Sequence, residues 1–185
     1  MTKSLTFITG NPSKAEQVGW HLHREINHQK VELVEIQSLQ LEEIIEYKAR
    51  EAFRVVQGPV LVEDTSLLFS ALGKLPGPLI KWFLQELDND GLCELLNGYT
   101  DRSAKAMVLF GLYDGKNVQT FSGAMEGTIA KTPRGDRGFG WDPIFIPKGY
   151  KNTWGEMTKE EQAKTSMRRI ALQKLEKDLM LTGML

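Results

Sequence analysis

One cysteine, Cys93, is the only thiol in the 185-residue sequence. It excludes an intrachain disulfide framework and any CxxC or Cys/His metal spacing. A reducing compartment is the natural setting. Long apolar runs are also missing. No stretch approaches the roughly 20 apolar residues that a membrane-spanning helix needs, and the apolar run within MTKSLTFITGNP is too short for a signal peptide. A cytoplasmic protein with no membrane partner is therefore expected. A surplus of one charge is missing too: 23 Lys and Arg against 24 Asp and Glu leave a formal net charge of −1. That balance argues against a nucleic-acid partner, which selects a basic surplus, but it leaves room for a small basic pocket. Repeats, low-complexity tracts and Pro/Ser linkers are absent, so a single domain over residues 1–185 is expected. What is present is a 41% hydrophobic content, enough to build a real core and too much for a disordered chain.

The periodicity reads as α/β. Ser4 to Thr9 (SLTFIT) is an expected first strand. Pro12 to about Asn27 follows as a helix, with Ala15, Val18, Leu22 and Ile26 roughly on one face. Val31 to Ile36 reads as a second strand. Leu41 to about Val56 reads as a second helix, apolar at Leu41, Ile44, Ile45, Ala49, Ala52 and Phe53, and Val60 to Glu63 as a third strand. This β-α-β-α-β start is an α/β signature. Leu67 to Leu96 reads as helical around a breaker-rich loop, LGKLPGP. Two long β-like runs, Ala104 to Tyr113 and Val118 to Ala130, flank the hairpin signal Asp114-Gly115. The loop RGDRGFGWDP leads into a short strand, IFIP. A final helix is expected from about Lys159 to Leu181, opened by a capping box of Thr158 and Glu161.

The first strand runs into Thr9-Gly10-Asn11-Pro12-Ser13-Lys14. Asn11 suits an N-cap and Pro12 the first helical position. Free N–H groups and the helix dipole make such a turn an anion site, and Lys14 adds a full positive charge. An ordinary strand-to-helix turn would look the same. GxxxxGK[ST] is absent, so this is no Walker loop, and flavodoxin-like phosphate loops also carry Thr-Gly-Asn. Glu35, within VEIQ, and Glu63-Asp64-Thr65 fall at the expected ends of the next two strands. Ligands of open α/β sheets sit outside such ends, and hard carboxylate oxygens suit Mg²⁺. Either acid alone would read as a solvated strand end; beside the anion loop they become candidate ligands. Glu63 and Asp64 should face opposite sides of the strand, and the choice falls on Asp64. Lys48, amid acids on its helix, reads alone as a surface lysine, and Lys81 as a partly enclosed one beside Trp82 and Phe83. The aromatics of Phe139-Gly140-Trp141-Asp142 could stack on a base, with Asp142 accepting from its ring N–H groups or binding metal, or the segment could simply anchor a turn. Lys164 and Arg168 share a helix face. His21, His23, His28 and Cys93 match no catalytic pairing and read as structural or surface residues.

TGNPSK, VEIQ, VEDT, LPGPLIKWF, GFGWDPIF and EMTKEEQAKTSMR occur in the order seen in the inosine-triphosphate pyrophosphatase family, and the resemblance covers essentially the whole chain. It implies an elongated two-lobed α/β domain with a long mixed central sheet flanked by helices, and a homodimer. It implies a Mg²⁺-dependent enzyme that cuts faulty purine nucleoside triphosphates (ITP, dITP, XTP) into NMP and pyrophosphate. By the same resemblance, Thr9, Gly10, Asn11, Pro12, Ser13 and Lys14 take the triphosphate. Glu35 and Asp64 hold Mg²⁺, and Asp64 is also the general base. Thr65, Lys48 and Lys81 join the phosphate or sugar contacts, and Phe139, Gly140, Trp141 and Asp142 hold the base.

The sequence departs from the family where the base is read. The family's Glu-Lys-Asn, two residues, then Ser-His-Arg becomes Glu161-Gln162-Ala163-Lys164-Thr165-Ser166-Met167-Arg168. Arg168 can still donate to a 6-keto oxygen, but Met167 cannot replace an imidazole donor. Cleavage with a weakened or altered base preference is therefore expected. The competing expectations are a related pyrophosphatase with another substrate, a flavodoxin-like module, and a catalytically silent nucleotide-binding protein.

Overall fold

The computed structural model describes residues 5–23 and 25–182, with the side chain of Ser13 set aside. The expected start of the first strand at Ser4 lies outside the described residues. Among the described residues the strands are β1 (Thr6–Ile8), β2 (Asn27–Gln29), β3 (Val60–Phe69), β4 (Pro76–Gly77), β5 (Ser103–Tyr113), β6 (Val118–Ile129) and β7 (Phe145–Pro147). The helices are α1 (Pro12–His21), α2 (Leu41–Val56), α3 (Ile80–Glu94), α4 (Lys159–Thr165) and α5 (Met167–Thr182). Hydrogen bonding orders the sheet β2-β1-β3-β5-β6-β7, with β4 on β3. β1 pairs in parallel with β2 and β3, whereas β4 and β7 pair antiparallel with β3 and β6. The α/β class with a mixed sheet and flanking helices is thus the observed one. No helix among the described residues is long and apolar enough to cross a membrane.

The chain divides into two compact units: Met1–Asp64 with Val108–Gly123 and Arg168–Leu185, and Thr65–Met107 with Ala124–Met167. In the first, α2 is amphipathic as its spacing demands, and it buries Leu41, Ile44, Ile45, Ala49 and Ala52. It lies so close to β5 that a Cβ on Gly111 would stand 2.5 Å from the Ile45 side chain. Phe7 and Phe110 pack with ring centroids 6.3 Å apart. In the second unit, Trp141, Phe145 and Trp154 form an aromatic cluster whose closest centroids, Phe145 and Trp154, are 4.5 Å apart.

Several boundaries differ from the sequence expectation. Of the stretch Leu67 to Leu96 expected to be helical, only Ile80–Glu94 is α-helix; the part before it holds the end of β3 and the strand β4. Helix α1 stops at His21, short of Asn27. The second strand is not Val31 to Ile36. Its ladder pairs Thr6, Phe7 and Ile8 with Asn27, His28 and Gln29, and residues 30–39 form no regular element. The alternation there covers no core, since Val34 is 71% exposed. The third strand does not end at Glu63 but runs on to Phe69, so both acids sit in mid-strand. The expected final helix is broken at Ser166, whose ψ of 116° is extended. The Trp154 indole N–H donates to the Thr165 hydroxyl at 2.8 Å and fixes that end of α4. The expected capping box forms: the Thr158 hydroxyl accepts from the Glu161 N–H, and the Glu161 carboxylate accepts from the Thr158 N–H.

Candidate active site

The turn after β1 is built by its own residues. The Thr9 N–H donates to the Gln29 carbonyl at 3.1 Å, and the Asn11 N–H donates to the Thr9 hydroxyl at 3.1 Å. Pro12 then opens α1, and the Lys14 N–H donates to the Asn11 carbonyl. The Thr9 side chain therefore shapes the turn, while Gly10 is exposed at its tip. The backbone of Ser13 belongs to α1; its side chain lies outside what the structure describes.

Three cations and three carboxylates meet in this unit. Lys14 Nζ lies 2.7 Å from Glu63 Oε1, and Arg168 Nη1 donates to Glu63 Oε2. Lys48 Nζ lies 3.7 Å from both Glu35 Oε1 and Asp64 Oδ2, and it donates to the Glu63 carbonyl at 3.2 Å. Glu63 and Asp64 take different cations, as neighbours along a pleated strand should. The Glu63 side chain is only 5% exposed. Burial pushes its carboxyl up, but the charges of Arg168 and Lys14 outweigh that and hold it below the usual carboxylate range. The Arg168 guanidinium also lies 5.9 Å from the centroid of the Phe110 ring. Glu35 is not at a strand end, so the argument from successive strand ends does not hold for it. Lys48 nevertheless links it to Asp64.

The chemistry of this cluster suits a metal-bound polyanion. Its pairs at 3.7 Å exceed hydrogen-bonding range, so either carboxylate can exchange the ammonium for another cation. The cluster also contains as many carboxylates as cations. A triphosphate placed there needs further positive charge, and two hard carboxylates are the ligands Mg²⁺ uses alongside phosphate oxygens. No group of three or more His, Cys, Asp or Glu side chains suited to a metal exists among the described residues, so a purely protein-held ion has no candidate cage there.

In the second unit, residues 134–142 form a tied loop. The Phe139 N–H donates to Asp142 Oδ2 at 2.6 Å, and the Asp142 N–H donates back to the Phe139 carbonyl. Gly138, at φ 84°, has no room for a side chain: a Cβ would lie 2.1 Å from that same carboxylate oxygen. Asn89 Nδ2 donates to the Gly140 carbonyl at 3.0 Å. The two aromatics part company. Phe139 is 78% exposed, whereas Trp141 is 9% exposed and packs on Phe145 and Trp154. Thr65 is half-buried on β3, and Lys81 Nζ sits 5.2 Å over the Trp82 ring. Gln162 Nε2 donates to the Trp154 carbonyl at 2.5 Å, and Met167 is buried. Met167 carries no strong side-chain donor.

Sequence reasoning passed over Glu63 in favour of Asp64 and did not single out Asn89 or Trp154. A signal for Glu63 existed: it follows VLV in a strand buried on both faces, where a carboxylate must find cations. Asn89 had no such signal, because its position depends on a break in α3 at Asp88, whose φ is 53°.

Comparison with known proteins gives one consistent picture. The model of the Ham1 family matches residues 5–178. The Ham1 protein of Staphylococcus aureus superposes with a TM-score of 0.85 at 24% identity, over 96% of this chain and 98% of that one. The HAM1 protein of Coxiella burnetii gives 0.86 at 27% identity, over 97% and 99%. A nucleoside-triphosphatase / dITP/XTP pyrophosphatase from Mycobacterium abscessus gives 0.79 at 26%, over 94% and 98%.

Proposed function

The chain belongs to the Ham1 family, and from that premise we propose that it is a Mg²⁺-dependent nucleoside-triphosphate pyrophosphatase that releases NMP and pyrophosphate. Family membership supports a hydrolase of nucleotide metabolism and sets the flavodoxin-like reading aside. The observation that carries the finer reading is the Lys48 ammonium, 3.7 Å from both Glu35 and Asp64, next to the Lys14–Glu63–Arg168 bridge.

In this reading Thr9 to Lys14 receive the triphosphate, with Lys14 neutralising phosphate charge and α1 directing its N-terminus at it. Glu35 and Asp64 hold Mg²⁺, which when bound neutralises phosphate oxygens and stabilises the pyrophosphate leaving group. Asp64 orients a water for attack on the α-phosphorus and accepts its proton. The α–β anhydride bond breaks, and no covalent enzyme intermediate is needed. Lys48, released from the carboxylates, is then available to phosphate oxygens. Thr65 and Lys81 join the phosphate or sugar contacts. Phe139 offers the exposed face for base stacking, Gly140 and Asp142 shape its loop, and Arg168 donates to a 6-keto oxygen. Trp141 supports the loop from beneath. A homodimer in the cytoplasm completes the proposal.

The second reading concerns specificity. Gln162 is engaged with a backbone carbonyl and Met167 is buried, which leaves Arg168 as the reader on this segment. A site rejects a wrong base strongly only through hydrogen bonds that the wrong base leaves unmade. The preference for ITP, dITP and XTP should accordingly be weaker than a histidine at 167 would give. Pyrophosphate release from ITP, XTP, dITP, GTP and ATP, with Mg²⁺ and with chelator, tests both readings. Release that persists in chelator rejects the metal. A strong ITP and XTP preference over GTP and ATP rejects the weakened specificity, and no release from any rejects the enzyme in favour of a silent nucleotide binder.

A further inference from the structure

Three cations of the first unit converge on residue 63, and they come from three helices. Lys14 (α1) and Arg168 (α5) each take one oxygen of the Glu63 carboxylate, and Lys48 (α2) donates to its backbone carbonyl. Glu35 and Asp64 are partly open to solvent, with side chains 44% and 27% exposed, whereas Glu63 is enclosed. Its carboxylate therefore acts through the cations and does not itself meet a ligand. Because each oxygen serves a different cation, neither Lys14 nor Arg168 can shift without disturbing the other's partner.

We propose that Glu63 is a positioning residue: it fixes the phosphate-binding Lys14 and the base-reading Arg168 in one register, so that base recognition is coupled to triphosphate placement. This rests on the functional reading above. Neutralising Glu63 frees both cations, and shortening it to aspartate leaves a carboxylate one methylene short of spanning them.

The test compares Glu63→Gln and Glu63→Asp with wild type by three measurements: pyrophosphate release from ITP, GTP and ATP with Mg²⁺, calorimetric binding of inorganic tripolyphosphate, and thermal melting. In a folded variant, tripolyphosphate affinity should fall by about tenfold or more. The ratio of kcat/KM for ITP to that for ATP should shift by about threefold or more, although residue 63 touches no substrate. A glutamate that only supports the fold would lower the rate on all triphosphates by one factor and leave the ratio unchanged, and that result overturns the proposal. Unchanged tripolyphosphate binding overturns it equally. If the glutamine variant does not fold, the charge-retaining aspartate variant decides by the same readouts. If neither folds, the residue's role is stability and the proposal fails. Wild-type protein that releases pyrophosphate from no triphosphate would overturn the functional reading instead. The bridge is then judged on tripolyphosphate alone, weaker binding in the variants upholding it and unchanged binding ending it.

Discussion

The first unit holds its candidate site side chains with charge, and the second holds its loop with backbone. Around Glu63, positions depend on ion pairs: two short, from Lys14 at 2.7 Å and from Arg168, and two loose, between Lys48 and the Glu35 and Asp64 carboxylates at 3.7 Å. Around Trp141, residues 134–142 are fixed by main-chain bonds and an aromatic floor. The Arg134 N–H donates to the Pro143 carbonyl and the Arg137 N–H to the Gly155 carbonyl. The difference teaches what each region can do when a ligand arrives. Loose ion pairs can trade partners, ammonium for metal or carboxylate for phosphate, without moving the chain. The loop is tied by those main-chain bonds and by the Phe139–Asp142 pair, so it presents a preformed shape.

The largest effect should come from Asp64→Asn. Loss of a general base costs about 10²- to 10⁴-fold in rate. With this half-exposed side chain, the melting temperature should stay close to wild type. Undiminished pyrophosphate release with Mg²⁺ would remove Asp64 from the mechanism. The second unit should answer in the opposite currency. Trp154→Ala empties the centre of the aromatic cluster and cuts the bond to Thr165, and it should destabilise by about 3–5 kcal/mol. Denaturant melts check this; a loss below 1 kcal/mol, on the order of a surface change, would show that the floor is not what holds the loop.

Asn89→Ala comes next. It leaves the Gly140 carbonyl without the Asn89 donor, worth about 1–3 kcal/mol if nothing replaces it. Proteolysis within residues 134–142 should quicken, and KM should rise more than kcat falls. Unaltered proteolysis and KM would free the loop from Asn89. Acid should act more gently, and on the first unit. Burial lowers the His21 pKa, against the opposing pull of Glu176. The unfolded chain therefore binds this proton more readily than the folded one. Stability should be full above the ordinary histidine value of about 6.5 and should fall as pH drops through it. His21→Gln should flatten that part of the melting-temperature profile; an identical profile would assign the loss to other groups. The smallest effect concerns Cys93, whose thiol is buried and pushed up to about 11. A thiol reagent at neutral pH should label it slowly in the folded protein and promptly in denaturant; fast labelling of the folded protein would contradict its enclosure.

Much of this is legible in the sequence. Apolar spacing located α2, the alternating runs located β5 and β6, and Thr158 with Glu161 marked the start of α4. The turn around Thr9 to Lys14 was legible because strand, Gly, Asn and Pro follow one another in the order a helix start requires. Other features were hidden because they depend on distant partners. Val31 to Ile36 alternates like a strand, yet the β1 ladder ends at Gln29. Nothing between Lys159 and Leu181 resembles a breaker, and the break at Ser166 owes its position to an indole from another segment. Glu63 was passed over because strand alternation separates neighbours but does not say which neighbour meets the cations. Only the meeting of Lys14 and Arg168 on one carboxylate does that.

The measurement that tests the central claim most directly is the identity of the products. One nucleoside triphosphate is incubated with the protein and Mg²⁺, and phosphorus NMR follows the reaction. Nucleoside monophosphate and pyrophosphate are expected in equal amounts, with no orthophosphate formed first. Nucleoside diphosphate and orthophosphate would place the cut at the β–γ bond and contradict the central claim.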